Sequence, residues 1–266
     1  MICTRARIPA TGLLVAALTL ALAGCAGKPA TREEKLAYGK DLLAEMSDEL
    51  AAARTISFST TEEVERVDRD GSRHVERVAR EVYLRRPDRL WFRVTGDRDL
   101  EGFYDGERFT LVAHREKVFG RIPAPPTVDA TVKELQERYG IVLPVGGLLA
   151  ASPQQALLDE TTIGGWVGRE EVDGGLCNLL AWDHPTVDWS IWIPVKGEPL
   201  PKKLQIIDPT RDGQLTTTTV SFERWSLSPM SDSIFAWTAP SSYVKVDLAR
   251  QAAALRLPAT TNVQLQ

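Results

Sequence analysis

Residues 55–85 read TISFSTTEEVERVDRDGSRHVERVAREVYLR, and the period of this stretch decides the fold class. Ile56, Phe58 and Thr60 alternate with small polar residues, and Val82 and Leu84 alternate with Glu81, Tyr83 and Arg85. That is the two-residue repeat of strands with one covered face. Between the two runs Asp70-Gly71 marks a hairpin turn, because both residues tolerate the positive φ that tight hairpins need. Further along, Asp105-Gly106, Asp173-Gly174-Gly175, Gly197 with Pro199 and Pro201, and Asp212-Gly213 divide the chain into short strands. The pattern predicts an antiparallel meander of roughly ten strands.

Upstream of Thr55 the period is helical. Thr31-Arg32-Glu33-Glu34 is a capping box, and Leu36, Leu43, Met46 and Leu50 give one apolar stripe up to about Arg54. A second helical region interrupts the strands between Ile122 and Thr162, opened by Pro123-Ala124-Pro125-Pro126. There Val128, Val132, Leu135 and Tyr139 form a stripe, and 143–151 and 153–158 suggest two more short helices. Helix, strands, helices, strands without a linker reads as one α+β domain with a single extended antiparallel sheet. A sheet that large is usually curved or closed, and its inner face is the surface that the helices starting at Lys35 and Val128 need.

The first residues, MICTRARIPATGLLVAALTLALAGCAG, place Arg5 and Arg7 before a short apolar run and small residues before Cys25. This is the order of a secretory signal, and the run is too short for a membrane span. Leu22-Ala23-Gly24-Cys25 resembles the lipobox at which bacterial lipoproteins are lipidated on the cysteine and cleaved before it. That resemblance implies removal of residues 1–24, a lipidated Cys25 and tether over 25–30, and attachment to a membrane. Ala26, not being Asp, looks like an outer-membrane address with the protein facing the periplasm. Cleavage removes two arginines and no acid, so the net charge goes from −4 to about −6. Such a balance argues against a nucleic-acid partner, which needs a clustered basic face. Of the three cysteines Cys3 goes with the signal and Cys25 to the lipid, so Cys177 is expected alone and buried as a small hydrophobe.

Phe103-Tyr104-Asp105-Gly106, Pro123 to Asp129, Tyr139-Gly140-Ile141-Val142-Leu143-Pro144, Asp188-Trp189-Ser190-Ile191-Trp192-Ile193 and Pro199 to Leu204 resemble an uncharacterised family of predicted periplasmic proteins, a domain of unknown function. The likeness covers about Leu36 to Val246. That family is similar in fold to the lipoprotein carriers LolA and LolB, which implies a single curved, unclosed antiparallel sheet, a half-barrel, with helices covering the concave face. The implied organisation is a LolA-like periplasmic domain over 31–246, and beyond it the sparse Leu248, Leu255 and Leu257 and the polar stretch from Pro258 predict a loosely ordered tail over 247–266.

No catalytic motif accompanies this. The chain has no Gly-x-Ser-x-Gly, no His-Glu-x-x-His and no phosphate-binding loop, and His74, His114 and His184 are scattered singly. No enzyme activity, cofactor or metal is therefore expected. Asp183-His184-Pro185-Thr186-Val187-Asp188 reads as a turn between strands, and Gly164-Gly165-Trp166-Val167-Gly168 as a bend in the sheet. Glu62-Glu63 and Glu170-Glu171 are expected to be solvated edges, and Lys202-Lys203 and Arg85-Arg86 are too short for a binding patch. What remains is apolar surface. Phe58, Val82, Leu84, Leu90, Phe92, Val94, Trp189, Ile191 and Ile193 project to common strand faces and are the candidates for a hydrophobic groove. The expected function is binding of lipid acyl chains or lipidated proteins in that groove. The alternative is an envelope protein-interaction or sensor module with a filled core and no ligand.

Overall fold

The computed structural model describes residues 28–96, 98–141, 145–159, 163–209 and 214–248. Helix α1 (Arg32–Ala52) begins where the capping box places it. The Glu34 amide donates to Thr31 Oγ1 at 3.1 Å, and the Thr31 amide donates back to the Glu34 carboxylate at 3.0 Å. Backbone donors from Thr31 and Ala30 hold the Glu34 carboxyl below the usual carboxylate range. The helix buries Gly39, Leu42, Leu43, Met46, Ser47 and Leu50, which recur at three- and four-residue spacing on one side. Leu43, Met46 and Leu50 are fully buried, each worth about 1.5–3 kcal/mol relative to exposure.

The strands form one unclosed sheet. In chain order they are β1 (Thr55–Val67), β2 (Arg73–Arg85), β3 (Arg89–Thr95), β4 (Asp99–Tyr104), β5 (Arg108–Ala113) and β6 (Val118–Pro123), then β7 (Ile163–Val172), β8 (Gly175–Asp183), β9 (Asp188–Pro194), β10 (Lys203–Asp208), β11 (Leu215–Ser226) and β12 (Val244–Val246). Their spatial order is β12-β6-β5-β4-β3-β2-β1-β11-β10-β9-β8-β7. Two meanders therefore meet where β1 pairs with β11. Neighbours are antiparallel except β12, which joins β6 in parallel. Between β6 and β7 come α2 (Val128–Tyr139), α3 (Gly146–Leu149) and α4 (Pro153–Leu158), matching the interruption read from the sequence. The half-barrel carries its helices on the concave face, where one core joins Leu43, Met46 and Leu50 of α1 to Leu135, Leu148 and Leu157 and to the inward residues of the strands.

Helix α1 seats on β7 through two glycines. A Cβ on Gly39 would stand 2.7 Å from the Trp166 amide nitrogen, and one on Gly165 would stand 2.6 Å from the Lys35 carbonyl oxygen. Gly165 also has φ +142°, and the register of β7 on β8 slips between Trp166 and Gly168, so this segment is the expected bend.

One expectation fails inside the sheet. Glu62 is not a solvated edge but fully buried, because the alternation of β1 places it on the covered face with Phe58 and Val64. It is held there by Arg80, 1% exposed, whose Nε and Nη2 donate to the two carboxylate oxygens at 2.8 and 3.0 Å, while Thr60 Oγ1 donates to Oε1 at 3.2 Å. Glu170 and Glu171 are exposed on the edge strand β7, as expected, and Glu170 also accepts from the Trp192 indole at 2.8 Å.

The chain end also differs from expectation. After β11 it crosses the outer face of the β3–β6 half, where Trp237 and Tyr243 cover Phe103, Val112 and Phe119. Arg85 pairs with Asp232 and lies over the Phe235 ring at 5.5 Å. Tyr243 Oη meets His114 Nδ1 at 2.9 Å, and Glu101 bridges His114 and the Trp91 indole at 2.7 Å each. Leu248, placed in the loose tail by the sequence, is buried in the main core because Gly120 leaves it a slot. The rest of that tail, and Cys25 with its signal, lie outside the described residues.

Candidate functional site

The nine groove candidates all face the covered side and are all packed. Leu84, Leu90, Phe92 and Ile191 are fully buried, and the most exposed of the set, Phe58, is 3% exposed. They belong to one core with the helices. Their neighbours are the protein's own side chains, so the stretch of concave face beneath the helices is filled.

A cavity of about 760 Å³ lies elsewhere, at the end of the sheet reached by the β7–β8 turn, the β9–β10 connection and the last residues of β11. Val172, Cys177, Pro194, Val195, Leu200 and Trp225 give it apolar walls, and Asp173, Lys196, Glu198 and Lys202 stand around them. None of the nine candidates lines it. Each wall has a local cause. Asp173 and Gly174, with φ +50° and +73°, make the tight turn that brings Val172 beside Gly175. Gly197 at φ +90° turns the β9–β10 connection. In β11 a register shift opposite Ser57–Ser59 accommodates Arg224, at φ +52°, and aims Trp225 out of alternation.

Trp225 is fixed on several sides. Its indole nitrogen donates to the Pro201 carbonyl at 2.9 Å, its ring stacks on Phe222 at 5.3 Å, and Phe58 lies 4.5 Å away. Phe58 thus reaches the cavity indirectly, by backing the tryptophan that walls it.

Cys177 is 1% exposed, and its sulfur lies 3.7 Å from the Gly175 carbonyl oxygen. Burial pushes its thiol up from the ordinary value, against a smaller pull downward from Lys202 and with a smaller push upward from Asp173. It is a protonated wall residue, as the sequence reading has it, and the opposite of an activated nucleophile.

The histidine turn resolves as structure. Asp183 pairs with Asp188 across the β8–β9 hairpin, and His184 Nδ1 accepts from the Thr186 amide at 3.2 Å. Among the described residues no group of three or more His, Cys, Asp or Glu side chains is placed to hold a metal, and no helix is long and apolar enough to cross a membrane.

The sequence reading missed the cavity because it treated its parts separately. Asp173-Gly174-Gly175 and Gly197 were legible as turns, and Lys202-Lys203 as a pair of lysines, but nothing local says that these turns converge. One signal was present. Phe222 and Trp225 are three apart in a strand, which breaks the period of two and betrays the bulge.

A family model described as predicted periplasmic protein (DUF2092) matches residues 39–249. No curated protein sequence matches the chain. Among solved structures, a LolA superfamily protein from Nitrosomonas europaea is similar at 14% identity and a TM-score of 0.38, covering 75% of this chain and 98% of that one. LprF from Mycobacterium bovis is similar at 11% identity and a TM-score of 0.43, covering 77% and 97%. The lipoprotein LppX from Mycobacterium tuberculosis is similar at 14% identity and a TM-score of 0.33, covering 72% and 97%.

Proposed function

Because the chain belongs to this family of predicted periplasmic proteins, we propose that it is a membrane-tethered periplasmic binding protein for the acyl chains of lipids or of lipidated proteins. The tether in this reading is lipid on Cys25, with the protein on the outer membrane and facing the periplasm. The observation that carries it is the cavity of about 760 Å³ walled by Trp225, Leu200 and their neighbours. That volume falls in the range of small-molecule sites, roughly 300–1,000 Å³, and apolar walls with a few polar groups are what such sites present. A chain of some sixteen carbons recovers about 13 kcal/mol gross at about 0.8 kcal/mol per methylene, which nearly matches the cost of withdrawing it from a bilayer. Near-balance lets a chain be taken up and released without an external energy source.

The test uses the mature chain with Cys25→Ser, purified from the periplasm and examined by native mass spectrometry. The expected result is a co-purified species of lipid mass that Trp225→Ala removes. A protein that arrives empty and also ignores added fatty acid would end this reading. The tether is checked separately, by incorporation of labelled palmitate into the wild-type chain and its loss in Cys25→Ser.

A second reading is a protein-interaction or sensor module of the envelope. The packed state of the nine inward candidates, none more than 3% exposed, favours it. Crosslinking in cells separates the two, since a sensor yields a protein adduct and a carrier yields lipid.

A further inference from the structure

The charges around the cavity have a pattern that the acyl-chain reading does not use. Two are positive, Lys196 and Lys202, and two are negative, Asp173 and Glu198. Elsewhere some exposed charges are joined in cross-strand and helix pairs, such as Arg73 with Glu65, Arg77 with Glu63, Arg224 with Glu81 and Arg138 with Glu134, while others among the described residues, such as Lys40 and Glu116, are not. Among the described residues none of the four at the cavity has an opposite charge within ion-pair distance. Both signs nonetheless act at one wall, because the Lys202 ammonium and the Asp173 carboxylate each bear on the buried Cys177 thiol, in opposite senses.

Charge complementarity then selects among amphiphiles. The lining carries no net charge, so it gives an anionic head no attraction that its two carboxylates do not oppose. A neutral head would draw nothing from the four exposed charges, which would stay hydrated. A head carrying one charge of each sign can pair with both sets at once, and such matching fixes orientation and specificity more than raw affinity. The apolar walls, Trp225 and Leu200 foremost, then receive the beginning of the chain attached to that head.

We propose that the cavity recognises the zwitterionic headgroup of a phospholipid, its phosphate on Lys196 and Lys202, its ammonium on Asp173 and Glu198, and its first methylenes on Trp225. This rests on the acyl-chain reading and adds the class of head to it.

The experiment titrates the mature Cys25→Ser chain, by tryptophan fluorescence and calorimetry, with four probes. Three share one acyl chain length: a lysophosphatidylethanolamine, a lysophosphatidylglycerol and an uncharged monoacylglycerol. The fourth is glycerophosphoethanolamine, the head without a tail. The zwitterionic lipid is expected to bind at least about tenfold more tightly than the anionic and uncharged ones, with the tail-less head weakest. Lys196→Ala with Lys202→Ala should abolish the preference. Asp173→Asn with Glu198→Gln should turn it toward the anionic lipid. All four side chains are exposed, and unchanged thermal melts would confirm that the variants fold. Equal binding of all three lipids, or a preference that survives both double substitutions, overturns the headgroup proposal while leaving acyl-chain binding standing. Failure of every acylated probe to bind removes both.

Discussion

The two halves of the sheet are finished in opposite ways. The half from β2 to β6 is covered twice, by helices on the concave side and by the chain end on the outer side, where Trp237 packs on Phe119 at 5.0 Å and on Phe103 at 6.2 Å. The half from β7 to β10 carries the cavity, and exposed apolar residues stand along its outermost hairpin, with Val167 at 54% and Leu176 at 51%. Local stability follows packing. The contrast therefore assigns rigidity to the doubly covered half and adaptability to the half with the cavity, as the proposed binding of a flexible guest would require.

The harshest way to break this comparison is to disturb the junction, since β1 pairs with β2 on one side and β11 on the other. Arg80→Ala leaves Glu62 buried without its cation and should cost about 3–5 kcal/mol, whereas Arg80→Met with Glu62→Leu should come back to near neutral. Urea denaturation of the three proteins measures both. If the single variant loses less than about 1 kcal/mol, the pair is not holding the junction.

A milder intervention sharpens the contrast between the halves. Trp237→Ala removes the side chain that links the chain end to Phe103 and Phe119, and should cost about 2 kcal/mol. Hydrogen exchange should speed up in β4 to β6 and in β12, while β8 to β10 stay unchanged. Equal acceleration in both halves would mean that they do not differ as described.

The smallest effect comes from acid. Asp68 at the tip of the β1–β2 hairpin is held below the ordinary carboxylate range, chiefly by the Gln214 side chain and then by Ser72. Its folded pKa is depressed, so its contribution is present above the unfolded value of about 3.9 and is lost as pH falls through the folded one. Because the group is exposed, the consequence is a slight extra loss of stability below about pH 4, and Asp68→Asn should flatten it. A melting profile of the variant that parallels wild type throughout this range would discard the assignment.

Much of the frame was legible in the sequence, and the reasons are local. The Thr31–Glu34 box, the period of two in β1 and β2, and the glycine turns act through near neighbours, so they announce themselves. The nine inward residues were correctly placed on common faces for the same reason. Whether a face is filled depends on what lies across it, and no period reports that α1 and α4 pack there. Glu62 was misread because composition says that an acid belongs in water, while strand alternation says that it faces inward. The alternation won because Arg80 stands diagonally across the ladder to neutralise it. The outer strap was invisible because Trp237 and Tyr243 are separated in sequence from the strands they cover.

The close seating of α1 on β7 also fixes a geometry of delivery. Lys35 and Leu36, the residues that touch Gly165, stand a few positions after the tether, whereas the cavity opens around Val172 at the other end of the same strand. Seven residues of strand separate the two, roughly 23 Å at 3.3 Å per residue. If the proposed lipid at Cys25 holds this end of the chain at a bilayer, β7 would act as a mast that carries the mouth away from that surface. On that proposal the mouth would face cargo arriving from across the periplasm, and the protein would have to tilt to reach the lipids at its own foot.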